Sequence, residues 1–139
     1  MTSEIIYLGN LRTKATHLRS GNSIFTDAPV DNQGKGENFS PTDLLATALA
    51  SCYLTIMGIA AQNHGFELEE CNTTVQKIMI ENPRRVGEVI INIYLTESLY
   101  TPKQKAILEV AAKSCPVGRS LHPDLQQKVQ LHFSQKEKG

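Results

Sequence analysis

The chain has 139 residues, of which 40% are hydrophobic and 20% charged, and its 14 acidic residues balance its 14 basic ones. This length suits a single domain over residues 1–139 that needs no metal or disulfide to fold. The even charge balance disfavours a nucleic-acid-binding surface. The amino terminus lacks a basic stretch followed by a long apolar run, and Thr47, Ser51 and Thr55 interrupt the longest apolar stretch. We therefore expect no signal peptide, no membrane span and a cytoplasmic protein.

The first third of the chain predicts short strands joined by turns. Segments 4–8, 14–18 and 22–26 have β-type content, and the last of them follows a Ser-Gly-Asn turn signal. Residues 27–39 are rich in Gly, Asn, Asp and Pro, and they predict a long loop.

A long helix is predicted to begin at residue 41. Ser40 is a good N-cap, Pro41 suits the first helical position, and Asp43 completes a pattern that resembles a capping box. The helix is expected to run to about Asn63, with Gly65 as its stop.

This long helix is apolar over almost its whole circumference. One face carries Leu45, Ala48, Cys52, Ile56 and Ile59, and further apolar residues widen it. Such a helix is expected to be buried on several sides. Because one sheet of so short a chain can hardly cover it, a second subunit is the simplest explanation.

The second half predicts a hairpin, two helices and a last strand. Segments 71–81 and 87–97 alternate as antiparallel strands, and the inward positions of the second strand are Val89, Ile91, Ile93 and Leu95. No strict βαβ alternation occurs along the chain, which favours an α+β fold with a largely antiparallel sheet and a long buried central helix.

After the hairpin, a capping-box pattern at Thr101 begins a helix that is expected to end near Ser114. Its predicted buried residues are Ile107, Val110 and Ala111. A short helix from Pro116 to about Leu121 and a strand over 128–133 follow, and the tail 134–139 is expected to fray.

The three cysteines stand in different settings. Cys115 precedes Pro116 and is predicted to be the N-cap of a short helix, where the positive helix end favours a thiolate; the alternative is an ordinary buried cysteine. Cys52 lies within the long helix, where burial disfavours the thiolate. Cys71 follows several acidic residues and is expected to be inert.

No metal site or cofactor is predicted. The four histidines lie far apart in the sequence, and no pair of Cys or His residues has ligand spacing. A Cys–His nucleophile pair that meets only in space stays open.

Two motifs resemble those of a known family. "SPTDLLATALASC", followed about sixty residues later by "SCPVGRSL", resembles the osmotically inducible protein C and organic hydroperoxide resistance proteins, the OsmC/Ohr family. The resemblance implies an intertwined α+β homodimer with the long helix at its interface. It also implies thiol-dependent reduction of organic hydroperoxides or hydrogen peroxide, with an external dithiol as reductant.

The resemblance also implies roles for particular residues. Cys52 matches the peroxidatic cysteine and Cys115 the resolving cysteine, and the two would form a disulfide. The family supplies an arginine from its amino-terminal strands to stabilise the thiolate, and Arg19 is the best positional match, with Arg12 second.

The sequence departs from the family at two places. The glutamate that usually follows the proline at the helix start is replaced by Thr42, and Asp43 comes next. Asp43 either takes over the role of that glutamate or only caps the helix. Gly118 replaces a serine that is common in the second motif.

Two other functions remain open at this point. One is a catalytically weak relative that binds small apolar ligands and keeps its cysteines for packing. The other is a thiol hydrolase or transferase that uses Cys115 as a lone nucleophile.

Overall fold

The computed structural model of the chain describes residues 1–135, so most of the tail that was expected to fray lies outside the described residues. The chain divides into two compact units, Met1–Leu45 and a second that begins at Ala46. Each unit contains one three-stranded sheet. The expected α+β class is confirmed, although the strands form two sheets.

The first unit is an antiparallel sheet in chain order. Strand β1 is Ser3–Gly9, β2 is Arg12–His17 and β3 is Ser23–Asp27. Asn10 and Leu11, with φ of 55° and 62°, form the tight turn between β1 and β2. All three predicted strands are present. The predicted loop that follows them contains one turn of 3-10 helix, Val30–Asn32.

The long helix α1, Pro41–Asn63, has the predicted start and stop. The Asp43 backbone N–H donates to Ser40 Oγ at 3.0 Å, and the Ser40 N–H donates to Asp43 Oδ2 at 2.9 Å, which forms a reciprocal cap. Gly65 ends the helix with φ of 77°, a left-handed conformation that costs glycine little.

One chain buries only one side of α1. The buried side carries Ala46, Leu49, Ala50, Tyr53, Met57 and Ala61. Cys52 is only half-buried, and Ile59 on the same face is 48% exposed. Burial on several sides, which the apolar circumference predicts, is therefore not reached within one chain.

Helix α1 is also long and apolar enough to cross a membrane, with a mean hydropathy of 1.9 over its best window. The expectation that no stretch of the chain meets this criterion is wrong, because three isolated hydroxyl side chains barely lower the average. The core helix of a globular protein passes the same test, so this is weak evidence for a membrane span.

The second sheet consists of β4, Asn72–Ile80, β5, Arg85–Thr96, and β6, Gln126–Ser134, in that order. Strands β4 and β5 form the predicted antiparallel hairpin. The predicted inward positions of β5 are almost completely buried, at 0–3% exposure: Val89, Ile91, Ile93 and Leu95. This row is the centre of the core.

Strands β5 and β6 are parallel, which the sequence analysis did not anticipate. Helices α2, Pro102–Ala112, and α3, Pro116–Arg119, lie between them in the chain. A helical crossover of this length returns the chain to the same end of the sheet, so the next strand runs parallel.

Helix α2 has the predicted capping box, with the Gln104 N–H donating to Thr101 Oγ1 at 3.1 Å. Its buried residues are Leu108, Ala111 and Ala112. The prediction that Val110 is buried is wrong, since Val110 is 72% exposed. Two positions correspond to about 200° around a helix, so Val110 faces away when Leu108 faces the core.

Candidate active site

The second unit brings two thiols together from opposite ends of its sequence. Cys52 lies in the middle of α1, and Cys115 directly precedes α3. Cys52 lies near enough to Cys115 to raise the pKa of the Cys115 thiol. Both cysteines are free. Two sulfurs in this relation are placed to interact chemically and not only to fill space.

Cys115 is the N-cap of α3, as the sequence predicts. It is 2% exposed, and its Sγ accepts a hydrogen bond from the Gly118 N–H at 3.4 Å. Burial nevertheless raises the pKa of the Cys115 thiol, and the hydrogen bond with Cys52 raises it further. The N–H groups of the helix end do lower this pKa, as expected, but one short turn of helix supplies less stabilisation than desolvation removes.

Two hydrogen bonds through Gln127 join the segments that carry the two cysteines. The Tyr53 hydroxyl, next in sequence to Cys52, donates to Gln127 Oε1 at 2.6 Å. Gln127 Nε2 donates to the Gly118 carbonyl at 2.8 Å. Burial raises the pKa of Tyr53, and the two nearby cysteines raise it further, so its hydroxyl stays protonated and remains a donor. Sequence analysis missed Tyr53 and Gln127, because no local pattern connects residues 74 positions apart.

An apolar groove of about 520 Å³ lies between α1 and α2. Its α1 wall begins at Ile56, one helical turn beyond Cys52, and its α2 end includes Ser114, the neighbour of Cys115. Ile59 and Ile107 line the middle of the groove. Neither Cys52 nor Cys115 lines the groove, which can accept an apolar group one helical turn from Cys52.

In the first unit, Arg12 is held by two carboxylates. Its Nε and one terminal nitrogen donate to the two oxygens of Asp27 at 2.7 and 3.0 Å, and that terminal nitrogen also donates to Glu37 at 2.6 Å. Asp27 is 1% exposed and accepts further hydrogen bonds from the Glu37 backbone and the Asn38 amide. The cluster ties the loop after β3 to the sheet.

This cluster makes a prediction for acid stability. The bond from Arg12 lowers the pKa of Asp27 from 3.8 to about 2. Because the folded-state pKa lies below the unfolded value, the carboxylate stabilises the fold above about pH 4, and this contribution disappears as the pH falls through about 2. Asp27→Asn is therefore expected to be less stable than wild type near neutral pH, with a difference that shrinks in acid. Urea unfolding of both proteins across this range measures it, and a difference independent of pH would contradict the assignment.

The remaining predicted site residues of the first unit lie at a turn and at the helix start. Arg19 is exposed in the turn between β2 and β3 and forms no ion pair with any residue of the described part, 1–135. Thr42 Oγ1 lies 3.2 Å from Ser40 Oγ, and Asp43 completes the cap of α1. Capping, one of the two roles open for Asp43, is thus observed.

Cys71 lies away from this arrangement, just before β4. Burial raises the pKa of its thiol, which agrees with the expectation of low reactivity. Among residues 1–135, no group of three or more His, Cys, Asp or Glu side chains is arranged to hold a metal ion.

The α+β fold places a free thiol from the middle of the long helix near a second free thiol that precedes a short helix. This arrangement defines a protein with a dithiol site. The model of the OsmC-like protein family matches residues 34–130, most of the chain. The chain therefore belongs to the OsmC-like family, as its two cysteine motifs suggest.

Solved structures agree with this assignment. A crystal structure from Psychrobacter arcticus 273-4, described as an osmotic stress induced and detoxification response protein, is 52% identical, with a TM-score of 0.89 over 95% of this chain and 96% of that chain. No curated protein matches the sequence.

More distant structures share the fold. An organic hydroperoxide resistance protein OsmC from Legionella pneumophila is 15% identical, with a TM-score of 0.68 over 96% of this chain and 98% of that one. An organic hydroperoxide resistance protein from Vibrio cholerae, with captopril bound in one of its active sites, is 14% identical. Its TM-score is 0.68 over 96% of this chain and 91% of that chain.

Proposed function

We propose that the protein is a thiol-dependent peroxidase that reduces organic hydroperoxides, or hydrogen peroxide, through Cys52 and Cys115. The observation that supports this best is the proximity of the two thiols, which come from different elements of the fold and lie near enough for Cys52 to raise the pKa of Cys115. The apolar groove that begins one turn from Cys52 favours peroxides with an apolar substituent.

The reaction needs only the two cysteines and a reductant. The Cys52 thiolate attacks one peroxide oxygen, the O–O bond breaks, and the alkoxide leaves and takes a proton to become an alcohol. Cys52 is oxidised by two electrons to a sulfenic acid. The Cys115 sulfur then attacks the Cys52 sulfur, the S–O bond breaks, and water leaves as the disulfide forms. An external dithiol reduces this disulfide by thiol–disulfide exchange.

The burial of the two thiols supports this order of events. Cys52 is half-buried and within reach of a substrate, whereas Cys115 is 2% exposed and has a raised pKa. A buried protonated thiol is a poor first nucleophile, but it is well placed to react with a sulfenic acid beside it. The same facts count against a hydrolase that uses Cys115 alone.

We assign the cation that stabilises the Cys52 thiolate to Arg19, with Arg12 as the alternative. A guanidinium stays charged when it is buried, and it offers several donors to sulfur and oxygen. Arg19 has no ion-pair partner among residues 1–135, whereas Arg12 is already engaged by Asp27 and Glu37. Thr42 and Asp43 would support the site from the start of α1.

The choice of arginine leads to a prediction. Arg19→Ala is expected to slow the oxidation of Cys52 at least about 10-fold, because a neighbouring positive charge stabilises the attacking thiolate. Arg19→Lys should restore part of the rate. Stopped-flow oxidation over a range of pH measures both effects. If Arg19→Ala is as fast as wild type and Arg12→Ala is slow, Arg12 is the cation.

The active form is proposed to be a cytoplasmic homodimer. Consecutive apolar residues of β1 that point to opposite faces are all exposed in one chain: Ile5, Ile6 and Tyr7 at 66%, 61% and 63%. Three cysteines, an odd number without framework spacing, suit a reducing compartment. Analytical ultracentrifugation should give twice the chain mass.

The test of the proposed function is steady-state consumption of cumene hydroperoxide and hydrogen peroxide with a dithiol reductant. We expect turnover of both, with the organic substrate preferred. Consumption no faster than the reductant alone would overturn the proposal. The groove would then favour the second candidate, a protein that binds small apolar ligands. For that candidate, an apolar ligand should displace an apolar fluorophore from the protein without any change in the thiols.

A further inference from the structure

Gln127 connects the two segments that carry the thiols. It lies on β6, opposite Val89 of the buried strand β5. Its side-chain oxygen accepts the Tyr53 hydroxyl proton at 2.6 Å, and its side-chain nitrogen donates to the Gly118 carbonyl at 2.8 Å. One amide thus links α1, one residue after Cys52, to α3, three residues after Cys115.

The orientation of this amide is determined by its partners. A carbonyl oxygen can only accept, so the Gln127 NH₂ group must face Gly118, and its oxygen must face Tyr53. Tyr53 is 4% exposed and has a raised pKa, so it remains the donor that this arrangement requires. Both hydrogen bonds are therefore satisfied in a single orientation.

Gln127 also occupies the space beside Gly118. A Cβ built on Gly118 would lie 2.6 Å from Gln127 Oε1, closer than any real contact. The absence of a side chain at residue 118 is what lets the glutamine approach the backbone. The N–H of the same residue, Gly118, donates to Cys115 Sγ at 3.4 Å. Gln127 therefore bonds to the carbonyl of the residue whose N–H donates to the resolving sulfur.

The geometry points to Gln127 as a positioning residue for disulfide formation, one that keeps the Cys115 segment against Cys52, with Tyr53 orienting its amide. This inference rests on the proposed redox pairing of the two cysteines. The step it assists is attack of the Cys115 sulfur on the oxidised Cys52 sulfur. Such a step depends strongly on placement, because a displacement of about 1 Å can cost on the order of 100-fold in rate.

The experiment separates the two steps with glutathione disulfide, which needs no peroxidase activity. The Cys52 thiolate attacks the reagent and releases one glutathione. Cys115 then attacks the Cys52 sulfur of the mixed disulfide and releases the second. The rate of the first step is measured in a Cys115→Ser background, and the rate of closure is measured in protein that retains Cys115. Quenched-flow mass spectrometry measures both rates.

Gln127→Ala is expected to slow closure at least about 10-fold while changing the first step no more than about twofold. Gln126→Ala, on the exposed neighbouring position of β6, is the matched control and should change neither rate. Gln127→Glu can still accept from Tyr53 but cannot donate to Gly118 when it is ionised, so it should resemble Gln127→Ala near neutral pH.

Gly118→Ala gives a second test that leaves Gln127 in place. The added methyl group displaces the amide, so closure should slow as in Gln127→Ala. Adding Gly118→Ala to Gln127→Ala should then cause no further loss, because both changes remove one interaction. A purely structural defect would instead lower both the first-step rate and the closure rate. The effects of the two substitutions would then be additive in the double variant.

The outcomes distinguish this inference from the proposed function. Slow closure in Gln127→Ala, in a protein that consumes no hydroperoxide, supports the inference and overturns the peroxidase proposal. Equal closure rates in Gln127→Ala and Gln126→Ala overturn the inference whatever the peroxide result. A wild-type protein that never closes its disulfide overturns both.

Discussion

Replacing Cys52 by serine is expected to abolish hydroperoxide consumption, with a loss on the order of 1,000-fold or more. A serine hydroxyl is not ionised near neutral pH and does not reduce an O–O bond, and Cys115 cannot replace it. Cys115 is 2% exposed, and burial raises its pKa. A coupled assay of hydroperoxide loss with a dithiol reductant measures this effect.

Cys71→Ser is the control for this variant. Cys71 is half-buried, lies just before β4, and also has a pKa raised by burial. Its replacement should leave the rate within about twofold of wild type, as expected of a thiol outside the site. If Cys52→Ser stays active and Cys115→Ser is dead, Cys115 is a lone nucleophile and the proposed order of events is wrong.

Cys115→Ser is expected to separate oxidation of the protein from its turnover. Cys52 still reacts with the first equivalent of hydroperoxide, but no disulfide can follow, so the sulfenic acid persists and excess peroxide converts it to the sulfinic acid. Steady-state turnover should fall at least about 10-fold, because reductant must now reach Cys52 directly. Intact-protein mass spectrometry should show added oxygen in place of the loss of two hydrogens.

The contrary result would also be informative. If Cys115→Ser turns over as fast as wild type and gains no oxygen, Cys115 takes no part in the cycle. The contact between the two thiols would then serve packing alone.

Local signals predicted the elements of this fold well. Ser40 with Asp43 and Thr101 with Gln104 are reciprocal caps whose partners lie three residues apart, so the sequence contains the whole interaction. The alternation along β5 likewise identified the buried row of the second sheet.

Tertiary features were less accessible. The parallel pairing of β5 with β6 depends on where a crossover returns the chain, and no local pattern records that. The buried side of α1 could not be predicted, because a helix that is apolar all round does not indicate which side faces the core. The prediction for Val110 is wrong for a related reason, since the phase of α2 is determined by its contacts with the core.

The candidate site was predicted by resemblance more than by physical pattern. Taken alone, Cys52 looks like a small core residue, and only the two family motifs pair it with Cys115. The interaction of Arg12 with Asp27 joins two adjacent strands, and the contact of Tyr53 with Gln127 joins a helix to a distant strand. Both pairs become visible only when the chain is folded.

The central claim is that Cys52 and Cys115 are one redox pair. Its most direct test is peptide mapping of the fully reduced protein after one equivalent of cumene hydroperoxide, under conditions that block thiol exchange. The account predicts that the protein loses two hydrogens, that one peptide pair is linked through Cys52 and Cys115, and that Cys71 remains free. A protein that consumes the peroxide with both of these thiols still alkylatable, or with a disulfide that involves Cys71, would contradict it.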